Sequence, residues 1–293
     1  MKVFKSEKAK RKILETYDQL LNMWGVKLEE RDIDTHYGST HVIEWGNVHK
    51  PSLVLFHGVG DNSALMWIYN AKELGEHFHI YAIDTIGGPG KSNPNDNYNK
   101  SFDQILWIDE IFMKLNIDKT YLAGVSNGSY MTHHYGIKRP DKVIKMICMS
   151  GAVSAVGDVN PIKTMMKVFL PEALIPTKNN VTKLIRKLTG DNSNVFTDNP
   201  VIMEHYAYLL RGFNNMAMAY HKIEYFNEHQ ISNISGKCLC LCGEVDPMGD
   251  VVKGIGKFEK YKLEYEIYKG VGHGINHEIS STINQRIIEY FSH

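Results

Sequence analysis

The sequence predicts an α/β fold built on a mostly parallel central sheet, with helices on both faces and one helical insertion. Three observations predict it. Short apolar runs alternate with helical stretches over 52–150, the alternation resumes over 237–291, and about 152–224 between them shows no convincing strand pattern. Repeated strand–helix alternation implies parallel strands joined by crossover helices, which bury both faces of the sheet. The length of 293 residues suits one large domain or one domain with an insertion. The expected division is a core over 1–151, a helical cap over 152–224, and the rest of the core over 225–293.

Taken in order, residues 5–24 read as a helix, because Ile13, Tyr17, Leu20, Leu21 and Trp24 recur at helical spacing. This is expected to be a surface helix preceding the sheet. The basic start of the chain is not followed by the apolar stretch of a secretion signal. Residues 32–37 and 41–45 flank a Gly-Ser-Thr turn and read as a hairpin. Strand 52–57 leads to helix 63–77, strand 79–84 to helix 101–115, and strand 120–125 to helix 127–139, which Pro140 ends. Strand 143–150 closes this half. The insertion carries Pro161, Pro171, Pro176 and Pro200 among short amphipathic pieces. Strand 237–242, a weak helix 251–260, strand 263–268 and a final helix 275–291 complete the sheet.

Composition excludes several partners. The 33 basic and 33 acidic side chains cancel, which argues against nucleic acid or an anionic membrane as a broad electrostatic partner. No apolar run is long enough to span a bilayer. Of the 4 cysteines, Cys238, Cys240 and Cys242 alternate along one strand and so share one face. Neighbours on one strand face do not pair readily as disulfides. A metal would need ligands from other loops. The three read as small buried hydrophobes, in keeping with a reducing, cytoplasmic setting.

The most informative stretch is Gly124-Val125-Ser126-Asn127-Gly128, a G-x-S-x-G between a strand and a helix. A serine at such a turn is held in a strained conformation that lifts its hydroxyl clear of the sheet. A hydroxyl near neutral pH needs a base to become a nucleophile. Gly272-His273 supplies one, in the loop between the last strand and the last helix. His277 falls inside that helix, and His133 and His134 leave Ser126 on the helix behind it. The base needs an acid to fix its tautomer. Gly243-Glu244-Val245-Asp246-Pro247 follows a strand at the same sheet end, giving Asp246, with Glu244 as the alternative. The developing oxyanion needs N–H donors. Asn127 N–H comes with the serine turn. Val59, in His57-Gly58-Val59-Gly60 after strand 52–57, supplies the second, with Gly60 next. His57 reads as scaffold at the loop entrance.

With these residues the chain resembles the α/β-hydrolase superfamily, and more narrowly its single-domain, capped, esterase-like members, over roughly residues 30–292. The resemblance rests on His57-Gly58-Val59-Gly60, on 84–92 (Asp84 to Ser92), on the Ser126 motif, on Gly243 to Pro247, and on Gly272-His273. It implies an oxyanion loop, a structural turn, and a triad in the order Ser, Asp, His. Two departures are visible. The Asp84 loop is longer than usual by one residue, and position 127 is Asn where many relatives carry Met, Gln or a small residue.

The implied activity is hydrolysis of a carboxylic ester on a small or medium apolar molecule, by acyl transfer to water and without cofactor or metal. The same triad also serves C–C bond hydrolysis, thioester hydrolysis and cofactor-free haloperoxidase chemistry. Two other classes compete. A ligand-binding protein on a hydrolase scaffold would show no turnover. An NAD-dependent oxidoreductase would use Gly58-x-Gly60-x-x-Ser63 and Asp84, but lacks the third glycine. Gly90-Lys91-Ser92 is followed by Asn93-Pro94, which forbids the helix a phosphate loop requires. Oligomeric state is not written in the sequence.

Overall fold

Apolar side chains at successive strand positions face opposite ways, and here they give the sheet a core on each face. The computed structural model describes residues 2–159, 162–170 and 172–292; Pro161 and Pro171 lie outside them. Among the described residues the strands are β1 (Leu28–Thr35), β2 (Gly38–Gly46), β3 (Ser52–Phe56), β4 (His79–Ile83), β5 (Asn93–Pro94), β6 (Thr120–Val125), β7 (Val143–Met149), β8 (Cys238–Gly243) and β9 (Glu264–Tyr268). They form one sheet in the order β1-β2-β4-β3-β6-β7-β8-β9, with β5 on the side of β2. β1, β2 and β4 pair antiparallel, and every step from β4 to β9 is parallel. The predicted mostly parallel architecture is the one observed.

Leu53, Leu55, Ala123, Val125, Ile147, Met149, Leu239 and Leu241 belong to one buried cluster. Val54, Phe56, Leu122, Met146, Cys148, Cys238 and Cys240 belong to the other. Full burial of a side chain such as Leu55 or Phe56 contributes about 1.5–3 kcal/mol. The first cluster is covered by α1 (Glu7–Met23), α2 (Ser63–Met66), α3 (Ala71–Gly75) and residues of the last helices. The second is covered by α4 (Gln104–Lys114) and α5 (Asn127–Lys138).

Between β7 and β8 lie α6 (Ile162–Phe169), α7 (Lys178–Leu188), α8 (Asn194–Thr197) and α9 (Pro200–Gly212), then α10 (Glu228–Ile231). Ala155 and Phe226 form an isolated bridge at the two ends of this excursion. After β8 come α11 (Val251–Tyr261), β9, α12 (Ile275–Glu278) and α13 (Ser280–Ser292).

Several local expectations need correction. The hairpin turns at His36 and Tyr37, not at 38–40. Tyr37 leaves the ladder to pack edge-on against Phe102 at 4.8 Å, and its hydroxyl accepts from Asp103 N–H at 3.1 Å. The predicted helix 63–77 is two short ones. The break places Asn70 in the core, where Nδ2 donates to Asn276 O and Asn284 Oδ1 at 3.1 and 2.7 Å. The final helix is broken at Ile279. The first helix is more than a surface element. Capped by Ser6, it buries Ile13, Tyr17, Leu20 and Leu21, and Thr16 Oγ1 lies 2.6 Å from His205 Nδ1 on α9.

Candidate active site

Ser126 follows β6 and stands at φ 58° and ψ −114°, a conformation an L-residue adopts only when its surroundings impose it. Those surroundings are the crowding of strand and helix. A Cβ on Gly124 would meet Gly128 O at 2.1 Å, and one on Gly128 would meet Phe56 O at 2.0 Å. Ser126 N–H donates to Met149 O at 2.9 Å, tying the turn to the neighbouring strand. A Cβ on Gly58 would lie 3.5 Å from that of Ser126, so the loop after β3 passes directly beside it. Neither Val59 N–H nor Asn127 N–H donates to a backbone carbonyl among the described residues.

His273 follows β9 and is partly exposed; Asp246 follows β8 and is buried. His273 Nδ1 lies 2.8 Å from Asp246 Oδ2, and Met248 N–H donates to Asp246 Oδ1 at 2.8 Å. The aspartate therefore fixes the ring with Nε2 turned to the remaining side. Glu244 instead accepts from Gly270 N–H at 3.1 Å, away from the ring. The structure thus brings His273 and Asp246 into contact, while no hydrogen bond joins Ser126 Oγ to His273 Nε2.

The other histidines have structural partners. His277 is buried, holds Leu65 O at 3.0 Å, and burial pushes it down to about 4. His57 donates from Nδ1 to Gly58 O at 2.8 Å and accepts Thr85 N–H on Nε2 at 2.9 Å, so it clips two loops together as a neutral ring. His134 contacts Gln104 and Glu224, and His133 is wholly buried in the second core.

The loop carrying His273 is held by groups that the sequence did not single out. Glu278 is buried, and its carboxylate accepts Gly272 N–H at 3.1 and 3.2 Å and Gly190 N–H at 2.7 Å. His273 N–H donates to Leu188 O at 2.7 Å, and Ser150 Oγ donates to His273 O at 2.8 Å. The histidine loop is therefore laced to the segment after α7. An acid at the start of a last helix is the only sequence signal for Glu278, and its partner Gly190 is 88 residues away. Asp61, beside the 57–60 loop, was also missed. It is buried with Asn62 N–H as its hydrogen-bond donor, and burial pushes its carboxyl up to about 7.

Residues 51–278 match the family described as alpha/beta hydrolase fold. The chain is 25% identical over 289 residues to an uncharacterized carboxylesterase, nap, of Bacillus subtilis, covering 95% of this chain and 91% of that protein. It is 25% identical over 288 residues to carboxylesterase YbfK of the same organism, covering 94% and 92%. Its fold is similar to the crystal structure of naproxen esterase (carboxylesterase NP) from Bacillus subtilis, with a TM-score of 0.83 at 24% identity over 96% of this chain and 97% of that one. No helix among the described residues is long and apolar enough to cross a membrane.

Proposed function

The chain belongs to the alpha/beta hydrolase fold family and is a carboxylesterase-like hydrolase, and from that premise we propose that it cleaves carboxylic esters through Ser126, His273 and Asp246. His273 takes the Ser126 proton on Nε2 as Oγ bonds to the ester carbonyl carbon. The N–H groups of Val59 and Asn127 receive the oxyanion. His273 then returns the proton to the departing alcohol. In the second half it takes a proton from water as the water oxygen bonds to the acyl carbon, then returns that proton to Ser126 Oγ as the acyl–oxygen bond breaks and the acid leaves. Asp246 stabilises the imidazolium that forms in both halves. The observation that carries this reading is the 2.8 Å contact between His273 and Asp246, in loops that leave the same carboxyl end of the parallel strands as the strained Ser126 turn.

In this reading the segment 152–224 is a cap over the core halves 1–151 and 225–293, and it forms one wall of the substrate pocket. The lacing of Leu188 and Gly190 to the loop that bears His273 supports it, because it joins this segment to the residue proposed as the base. Small or medium apolar acyl esters are the expected substrates. A panel of neutral esters, each paired with an anionic analogue of equal length, tests the proposal. Faster turnover of the neutral members, lost in Ser126→Ala, supports it; no ester turnover, or turnover that survives Ser126→Ala, overturns it.

A further inference from the structure

A cluster of soft ligands lies in the second core, and nothing in ester hydrolysis uses it. The sequence reading of the cysteines as small hydrophobes turned on the lack of ligands from other segments. The fold supplies them. β7 brings Cys148 opposite Cys240 on β8, and α5 lays His133 across the same face. A ring nitrogen of His133 and the sulfurs of Cys148 and Cys238 all lie within 4.8 Å of one another. Cys238 Sγ is 3.9 Å from both Cys148 Sγ and Cys240 Sγ, and Cys240 Sγ is 3.9 Å from His133 Nε2. With metal–sulfur bonds of about 2.3 Å, the sulfur–sulfur edge of a tetrahedral site is about 3.8 Å.

A second, independent observation concerns His133. Its exposure is 0%, and among the described residues Nδ1 has no hydrogen-bond partner and Nε2 has only the weak thiol contact to Cys240. A wholly buried imidazole whose thiol-facing nitrogen has no better partner than a thiol calls for an explanation, and an ion bound to that nitrogen is one. Packing alone explains three small thiols, but it does not explain an imidazole among them.

We propose that His133, Cys148, Cys238 and Cys240 form a buried site for a soft divalent cation of the zinc type, bridging α5, β7 and β8. Cys148 and Cys238 bind as thiolates, releasing their two protons to solvent as the cation enters, and so balance its charge within the apolar core. His133 binds as the neutral ring, and Cys240 Sγ, 3.9 Å from Cys238 Sγ and from His133 Nε2 but outside the close trio, completes the set by a small side-chain shift on metal entry. Thiolate and imidazole donors in this number favour zinc over the oxygen-seeking cations. Full burial means that the ion enters during folding and reports on stability rather than on turnover.

The test is metal content and spectroscopy on the full chain. After expression with zinc and dialysis against a mild chelator, elemental analysis should find about one zinc per chain. Refolding in cobalt(II) should give a thiolate-to-cobalt charge-transfer band and the intense visible bands of a tetrahedral ion. His133→Leu and Cys238→Val, checked for folding by circular dichroism, should each lose the zinc. The cobalt spectrum of the unsubstituted chain reads the ligands even where a variant fails to fold. Absence of zinc and of thiolate–cobalt bands from the unsubstituted chain overturns the proposal. So does zinc retained by both folded variants.

Discussion

At the scale of single residues, the division of labour follows from which contacts exist. Replacing the proposed nucleophile, Ser126→Ala, should lower ester turnover by on the order of 10⁶-fold with the fold unchanged. Asp246 holds His273 Nδ1 and Glu244 does not. Asp246→Asn should therefore cost far more rate than Glu244→Gln, and the reverse ranking would move the acid to Glu244. Glu278 never reaches the reacting atoms; it positions His273 through Gly272. Glu278→Gln should lower kcat by roughly 10–100-fold with little change in KM, the size expected of a slightly misplaced catalytic group. A variant that loses only thermal stability would reduce Glu278 to a packing role. The strained Ser126 turn and the His273–Asp246 pair were legible as candidates because each of these residues follows an apolar strand and sits among turn residues. Glu278, Asp61 and the His133 cluster were not, because their partners are distant in sequence and only the fold brings them close.

At the scale of elements, strand runs were easier to read than helix ends. A buried parallel strand needs only a short apolar run, and β6 and β7 begin where the sequence placed them. Helix breaks at Trp67 and Ile279 are set by tertiary hydrogen bonds of Asn70 and Glu278, which periodicity does not register. The same holds for α9. His205 on that helix lies 2.6 Å from Thr16 of α1 and 3.0 Å from Asn62 Nδ2 beside the 57–60 loop. One buried ring thereby fastens the segment between β7 and β8 to the first helix and to the loop beside Ser126. His205→Leu leaves Asn62 with one fewer partner. It should cost about 1–3 kcal/mol in denaturant unfolding, and an unchanged midpoint would contradict the role given to it.

At the scale of the whole molecule, buried titratable groups set how stability responds to pH. Burial pushes His205 down to about 3 and His221 and His277 down to about 4. These rings are neutral in the folded chain but take protons when unfolded below the ordinary histidine value of about 6.5. Each therefore contributes stability that is present above pH 6.5 and lost as pH falls toward 4. Asp61 works the other way. Its carboxyl, pushed up to about 7, stays protonated in the folded chain while the unfolded chain ionises near 4. Its contribution is present at low pH and lost as pH rises through 7. His57 and His134, lowered by burial, act with these three rings, while His41 and Glu278 are raised and act with Asp61; the lowered rings are the more numerous, so the thermal midpoint should rise from pH 4 to 6.5. Asp61→Asn should steepen that rise and raise the midpoint at pH 8 relative to the unsubstituted chain. A midpoint that falls over pH 4–6.5 would contradict this assignment.

The central claim is that Ser126 is a nucleophile activated by His273 and Asp246. Its most direct test is stoichiometric labelling with a fluorophosphonate, in which Oγ displaces fluoride from phosphorus. The account predicts about one adduct per chain, mapped to the peptide bearing Ser126, absent in Ser126→Ala and slowed by roughly 10³-fold or more in His273→Ala. An adduct on another residue, or full ester turnover in a chain the reagent does not modify, would contradict it.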